Sequence, residues 1–224
     1  MDIIVRGIGW LTREGYGCIR KGHRHVFGTD EGLHLLPKQE IFSHPFKNFG
    51  RLDTISKLTA YAVGLALRDS GIEYSPLRKQ DIGIVGTNAE GCLQSDIGYF
   101  GDYLDSGRTL SRGNLFIYTL PSSPIGEAAI HFGLQGPVMY AASEDNALVA
   151  VLDCAREMIL AEEAPTMLVG AAEEDEALFF VLARACGSEQ LDLCEFEDAR
   201  SLAETSPDIA GLILKLQRTA TRKA

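Results

Sequence analysis

The stretch Gly136-Pro137-Val138-Met139-Tyr140-Ala141-Ala142-Ser143-Glu144-Asp145-Asn146 decides how this chain is read. A glycine-proline turn leads into a short apolar strand, Val138 to Ala142, and an acidic step then leads into a helix over Ala147 to Leu160. A strand-to-helix junction of this kind exposes one side chain at the mouth of a fold, where a nucleophile is often placed. The candidates at this junction are Ser143, Glu144 and Asp145. A serine nucleophile needs an adjacent base and an oxyanion hole, and the sequence displays only one flank of such a site. Adjacent carboxylates at a helix start point in different directions and are stabilised by the helix dipole, so helix capping is expected of Glu144 and Asp145 rather than acid–base work.

Outward from the junction, strand and helix alternate. Ile3 to Ile8 reads as a buried strand, and residues 10 to 50, rich in Gly, His and Pro, read as an irregular excursion. Asp53 is placed to cap a helix in which Ile55, Leu58, Ala62 and Leu65 recur at helical spacing, with Gly71 as its stop. Ile82 to Val85 is a short β-branched strand. Ser123-Pro124 opens a further helix, with the serine capping and the proline in the first turn, and Gly133 ends it. Met167 to Ala171 reads as a strand, Ala177 to Ala185 as a helix, and Ile209 to Leu216 as a buried strand followed by a frayed basic tail, 218–224. This order argues for a mostly parallel sheet covered by helices, in a single domain over residues 1–217. The start of the helix after the junction, Ala147 to Leu152, is apolar on every side and is expected to be buried all round. Its cover would come from residues 10 to 50, from the acidic segment 173–208 or from a partner subunit, and the partner is the preferred expectation.

Composition narrows the function classes. The 224 residues are 46% hydrophobic and carry a net charge of −10, which suits a globular domain with one substantial core. Residues 141–210 hold seventeen Asp or Glu against three Lys or Arg. With no basic face of useful size, nucleic acid is not expected as a partner. No apolar run is long enough to span a bilayer and the N-terminus is too charged for a secretory leader, so no membrane partner is expected and the cytoplasm is the expected compartment. Five scattered cysteines, Cys18, Cys92, Cys154, Cys186 and Cys194, form no C-x-x-C pair and read as reduced thiols, with neither disulfide nor metal site expected.

Other features have plain structural readings. Gly86-Thr87-Asn88-Ala89-Glu90-Gly91 follows a strand but lacks the endings of a phosphate loop or dinucleotide fingerprint, so a structural turn is expected. His131 late in its helix reads as a satisfied or surface histidine. Arg20, Lys21, His23, Arg24 and His25 read as a solvated loop, and Glu173-Glu174-Asp175-Glu176 as a solvated acidic surface.

The junction also resembles that of the β-ketoacyl synthases of the thiolase superfamily, which place there the cysteine that carries the acyl chain. Further segments carry the same resemblance: Asn48-Phe49-Gly50-Arg51-Leu52-Asp53 with its helix, Asp81-Ile82-Gly83-Ile84-Val85-Gly86-Thr87, Leu120-Pro121-Ser122-Ser123-Pro124 leading to His131-Phe132-Gly133-Leu134-Gln135-Gly136-Pro137, and Met167-Leu168-Val169-Gly170-Ala171-Ala172-Glu173. Together they run from Asp2 to about Gln217 and correspond to the N-terminal half of a typical synthase. The resemblance implies an α/β fold, a thiolase-like half with a mostly parallel, mixed five-stranded sheet covered by helices. Counted from Gly136-Pro137 without gaps, Asp145 occupies the family's cysteine position, flanked by Ser143 and Glu144. The catalytic histidines belong to the second half. No catalytic residue and no cofactor are therefore expected, and the chain resembles the truncated chain-length-factor subunits of type II polyketide or aryl-polyene systems. Its expected role is that of a noncatalytic partner of an active ketosynthase in fatty-acid or polyketide assembly. Val138, Met139, Tyr140, Ala141 and Ala142 would form the dimer seam, with the synthase or with a second copy, and an acyl carrier protein is a further possible partner. The alternatives are an acyl-binding homodimer and an acyltransferase or hydrolase using Ser143 or Asp145.

Overall fold

The computed structural model describes residues 2–75, 77–185 and 193–223. In chain order the elements are β1 (Ile3–Thr12), β2 (Gly15–Cys18), β3 (Arg24–Val26), α1 (Lys38–Ile41), α2 (Thr54–Ser70), β4 (Ile82–Thr87), α3 (Leu93–Asp105) and α4 (Gly113–Phe116). They continue with α5 (Ser123–Phe132), β5 (Val138–Tyr140), α6 (Ala147–Leu160), β6 (Thr166–Ala172), β7 (Ala177–Arg184), β8 (Cys194–Glu195), α7 (Phe196–Glu204) and α8 (Ile209–Lys223).

The strands form one sheet in the order β3-β2-β1-β7-β6-β4-β5, with β8 on the N-terminal part of β1. β4 pairs in parallel with both β5 and β6, whereas β7 runs against β6 and β1. In the central five strands, β1, β4, β5 and β6 therefore point the same way and β7 alone opposes them. This is the expected mixed, mostly parallel sheet, but β2, β3 and β8 extend it from five strands to eight. The excursion over 10 to 50 thus contains two strands and α1 that periodicity did not disclose; β2 and β3 have only four and three residues.

Two expected elements exchange type. Ala177 to Ala185 is not a helix but β7, a strand with both faces covered. Phe179 and Val181 enter one core, and Leu178, Phe180 and Leu182 the other. A strand covered on both sides has no polar face, so its apolar run cannot be told from a buried helix by period. Conversely, Ile209 to Leu216 is not a strand. It opens α8, where Ile209, Leu212, Ile213 and Leu216 are buried on one helical face and Leu214 is 49% exposed. The Asp208 carboxylate accepts the Gly211 N–H at 2.7 Å at its start, and the tail expected to fray continues the helix to Lys223.

Helices α2 and α5 cover one face of the sheet, together with residues 36–52. The Asp53 carboxylate accepts the Ser56 N–H at 2.8 Å as the cap of α2, and Gly71 ends the helix at φ 74°, both as the sequence predicts. Helix α2 lies so close to β1 that a methyl group on Gly9 would collide with the Ala62 carbonyl and the Ala66 amide. At its end, the buried Asp69 carboxylate accepts N–H groups from Ile8 (2.8 Å), Arg20 (3.0 Å) and Lys21 (2.8 Å). The basic stretch expected to be a solvated loop is thus tied to the core through its backbone. Ser122, not Ser123, flanks the start of α5. Ser123 lies within the helix and donates its hydroxyl to the Ile117 carbonyl, while Gly133 ends the helix at φ 68°.

The other face is covered by α6, α7 and α8. Of the three covers expected for α6, the preferred one, a partner subunit, gives way to the acidic segment, whose helix α7 lies against it. Arg200 of α7 grips Asp153 of α6 through two hydrogen bonds of 2.7 and 2.9 Å. The Asn146 amide at the start of α6 donates to the Ala203 carbonyl at 3.4 Å. Helix α6 is not buried all round either, because Ala150 and Glu157 are exposed while Val149, Val151, Leu152, Ala155 and Ile159 face inward.

Candidate functional site

The parallel strands β4, β5 and β6 deliver their C-terminal ends to one place, the position where open α/β sheets commonly carry their sites. At that end Thr87-Asn88, Tyr140 and Glu173 meet. The Asn88 side chain closes the turn after β4, donating to the Gly91 carbonyl at 2.9 Å and accepting the Gly91 N–H at 2.7 Å. The Tyr140 hydroxyl, at the end of β5, donates to Asn88 Oδ1 at 3.0 Å. The Ala89 N–H is taken by the Glu173 carboxylate at 3.0 Å. Residues 86–91 are therefore the structural turn that the sequence predicts, and its amide is already matched by an anion from within the chain. Glu173 departs from the expected solvated acidic surface. It is half-buried, and desolvation raises its pKa, assisted by Glu90 and Asp175 and opposed by the Ala89 N–H. Its neighbour Asp175 pairs with Arg13.

The junction itself is open to solvent. Strand β5 pairs only with β4, through Ile84↔Val138, Val85↔Met139 and Gly86↔Tyr140, and stands last in the sheet. Val138 is 47% exposed; Met139, Tyr140 and Ala141 are half-buried and Ala142 is exposed. The strand is shorter than expected by two residues. Ser143, Glu144 and Asp145 are all exposed, and none of their side chains makes a hydrogen bond or ion pair with another described residue. The capping expected of the two carboxylates falls instead to Asn146, whose Oδ1 accepts the Val149 N–H at 3.1 Å.

Three of the described thiols are shifted away from the thiolate form. Burial pushes Cys18 up to about 12, and it also raises Cys92, with help from Asp96, and Cys154, with help from Glu163. Cys194 is buried, and Cys186 lies outside the described residues. A raised pKa keeps a thiol protonated and inert. His131 is neither on the surface nor satisfied: it is 8% exposed, and its Nε2 has no hydrogen-bond partner.

One feature escaped the reading of the sequence. Helix α3 buries no residue. Its Leu93, Ile97, Phe100 and Leu104, spaced by four, three and four, are between 42% and 59% exposed, and Phe116, Ile117 and Leu120 beyond it are similarly open. This spacing makes a single apolar stripe along the helix. The stripe begins just after the Asn88–Gly91 turn that Tyr140 holds, and the Ser95 hydroxyl ties the first turn of α3 to the Asp53 carboxylate at the start of α2 at 2.9 Å. Among the described residues no helix is long and apolar enough to cross a membrane.

Comparison with known proteins gives this geometry a family. No curated protein sequence matches the chain. Among solved structures, a chain of the ishigamide ketosynthase/chain length factor is similar with a TM-score of 0.63 and 16% identity, the match covering 100% of this chain and 82% of that one. A chain of the ketosynthase ApeO in complex with its chain length factor ApeC, from Xenorhabdus doucetiae, is similar with a TM-score of 0.54 and 13% identity, covering 84% of this chain and 81% of that one. A β-ketoacyl synthase from Burkholderia phymatum gives a TM-score of 0.59 and 19% identity, with 91% of this chain matched to 61% of that one. These likenesses establish the thiolase-like ketosynthase fold. A sequence model of the β-ketoacyl synthase N-terminal domain matches residues 34–200, well over half of the chain, and the protein therefore belongs to the β-ketoacyl synthase family through that domain.

Proposed function

We propose that this chain is a noncatalytic ketosynthase-like subunit that pairs with an active ketosynthase, in the manner of a chain-length factor, in type II fatty-acid or polyketide biosynthesis. The observation that carries the reading is the junction before α6. Where the family holds its cysteine, this chain presents exposed Ser143, Glu144 and Asp145, whose side chains pair with no other described residue, and Cys18, Cys92 and Cys154 lie elsewhere with raised pKa values. Acyl transfer needs an activated nucleophile held against a base, and neither part is assembled at these residues. The pairing half of the reading is supported by the open edge of β5 and by the exposed apolar stripe of α3, surfaces that a second subunit would cover. Two of the similar structures contain a chain length factor by description, and this chain spans most of the matched chain in both. Val138 to Ala142 form the seam in this reading, and an acyl carrier protein would meet the assembled pair.

Co-expression with a full-length ketosynthase tests it. A stoichiometric complex is expected, with condensation dependent on the synthase's own cysteine. The isolated chain is expected to gain no condensing activity in the Asp145→Cys variant. Acyl transfer by the isolated chain, lost in Ser143→Ala or Asp145→Ala, would overturn the noncatalytic reading. Failure to bind any synthase while self-associating would favour the homodimer.

A further inference from the structure

The segment between β3 and α2 is held by rings. Phe42, His44 and Phe46 converge on His131, near the end of α5. The Phe46 and His131 rings stack at 3.9 Å with an interplanar angle of 11°, and the His44 ring centroid lies 4.3 Å from that of His131. Phe42 meets His131 edge-on at 5.4 Å and stacks on Tyr61 of α2 at 5.1 Å. Phe42 and Phe49 also enter the core, where Phe49 meets Tyr61 edge-on at 5.3 Å. The Ser43 N–H donates to the Tyr74 hydroxyl at 3.1 Å, and the Phe42 N–H bonds within its own short helix to Lys38.

An imidazole is an unusual choice at the centre of this cluster. His131 is nine-tenths buried among aromatic rings, and its Nε2 has neither donor nor acceptor opposite it. A phenylalanine would fill the same stack without an unpaired polar atom. What distinguishes histidine from phenylalanine here is its capacity to take up a proton. We propose that His131 and His44 form an acid-sensitive latch, in which protonation of the His131 ring releases residues 42–49 from α5. Among the described residues no carboxylate faces His131 to balance a charged imidazolium. The titratable groups facing it are His44 from the released segment and Tyr74 from the connection after α2, whose ring centroid is 6.0 Å away. Burial keeps the Tyr74 phenol neutral, and Tyr61 of α2 stacks on Phe42 at 5.1 Å.

The direction of the effect follows from linkage. Burial, and then His44, push His131 from its ordinary 6.5 down to about 4 in the closed form. The released ring titrates near its ordinary value. The open form therefore binds the proton more tightly, and closure is fully favourable above about pH 6.5 and is lost progressively as the pH falls toward 4. This inference is independent of any role in acyl assembly.

The test is amide hydrogen exchange on the full chain at Phe42 and Ser43, corrected for intrinsic exchange, from pH 7.5 to pH 5. Opening is expected to rise roughly 25-fold over that range in the wild type and to stay flat in His131→Phe, which keeps the stack and cannot titrate. A flat wild-type profile, or the same rise in His131→Phe, overturns the latch. Ring-proton NMR of the wild type gives a second reading that needs no variant: a His131 midpoint well below that of a free imidazole supports the latch, and an ordinary midpoint overturns it.

Discussion

The two edges of the sheet are opposites. At one end β3 offers Arg24, His25 and Val26, a three-residue strand with an exposed arginine and with His25 bonded to Glu31 at 2.9 Å. At the other end β5 offers Val138, Met139 and Tyr140, with no charged residue. Short, charged strands are how proteins keep a sheet edge from pairing with other chains, and an uncharged edge without such protection is one that another chain can extend. The difference separates a boundary that is finished within the chain from one that is left available.

The comparison can be broken first at the β3 end, where the largest effect is expected. Asp69 holds three amides of β1 and of the turn between β2 and β3. Asp69→Ala strands these donors and should cost about 3 kcal/mol in denaturant unfolding. Hydrogen exchange should show β2 and β3 losing protection while the β4–β5 pair keeps it. The next effect is on assembly. Met139→Lys should weaken binding to a ketosynthase by about 2 kcal/mol, roughly thirtyfold in Kd, whereas Val26→Lys on the opposite edge should stay within about 0.5 kcal/mol. Equal losses in a titration of the two variants would remove the distinction between the edges. The smallest effect sharpens the junction beside β5. Asn146→Ala should cost about 1 kcal/mol in thermal unfolding as a lost cap, while Ser143→Ala, Glu144→Ala and Asp145→Ala each remain within about 0.5 kcal/mol.

Much of this was legible in the sequence because it is local. Asp53, Gly71 and Gly133 punctuate their helices where they stand, and β4, β6 and α6 follow from short apolar runs between turns. What failed had two causes. Ala177–Arg184 becomes a strand because helices from distant parts of the chain cover both of its faces, whereas α8 was misread on a local period, since Ile209, Leu212, Ile213 and Leu216 keep helical spacing in the sequence itself. At the site, position 145 can be reached by counting, but the choice of Asn146 as cap depends on where the first helical amide turns. The burial of His131 depends on rings about ninety positions earlier in the chain, and no local pattern carries that information. The stripe of α3 was legible, since Leu93, Ile97, Phe100 and Leu104 keep helical spacing in the sequence itself.

The cover that α7 places over α6 bears on how many neighbours the molecule can hold. With the back of the sheet occupied from within the chain and the β3 edge guarded by charge, sheet extension is confined to one line of approach. In the pairing proposed above, a unit with a single adhesive edge would have a valence of one: it would complete a pair without passing the contact on to a third member, so such an assembly would close at two sheets instead of growing into a filament.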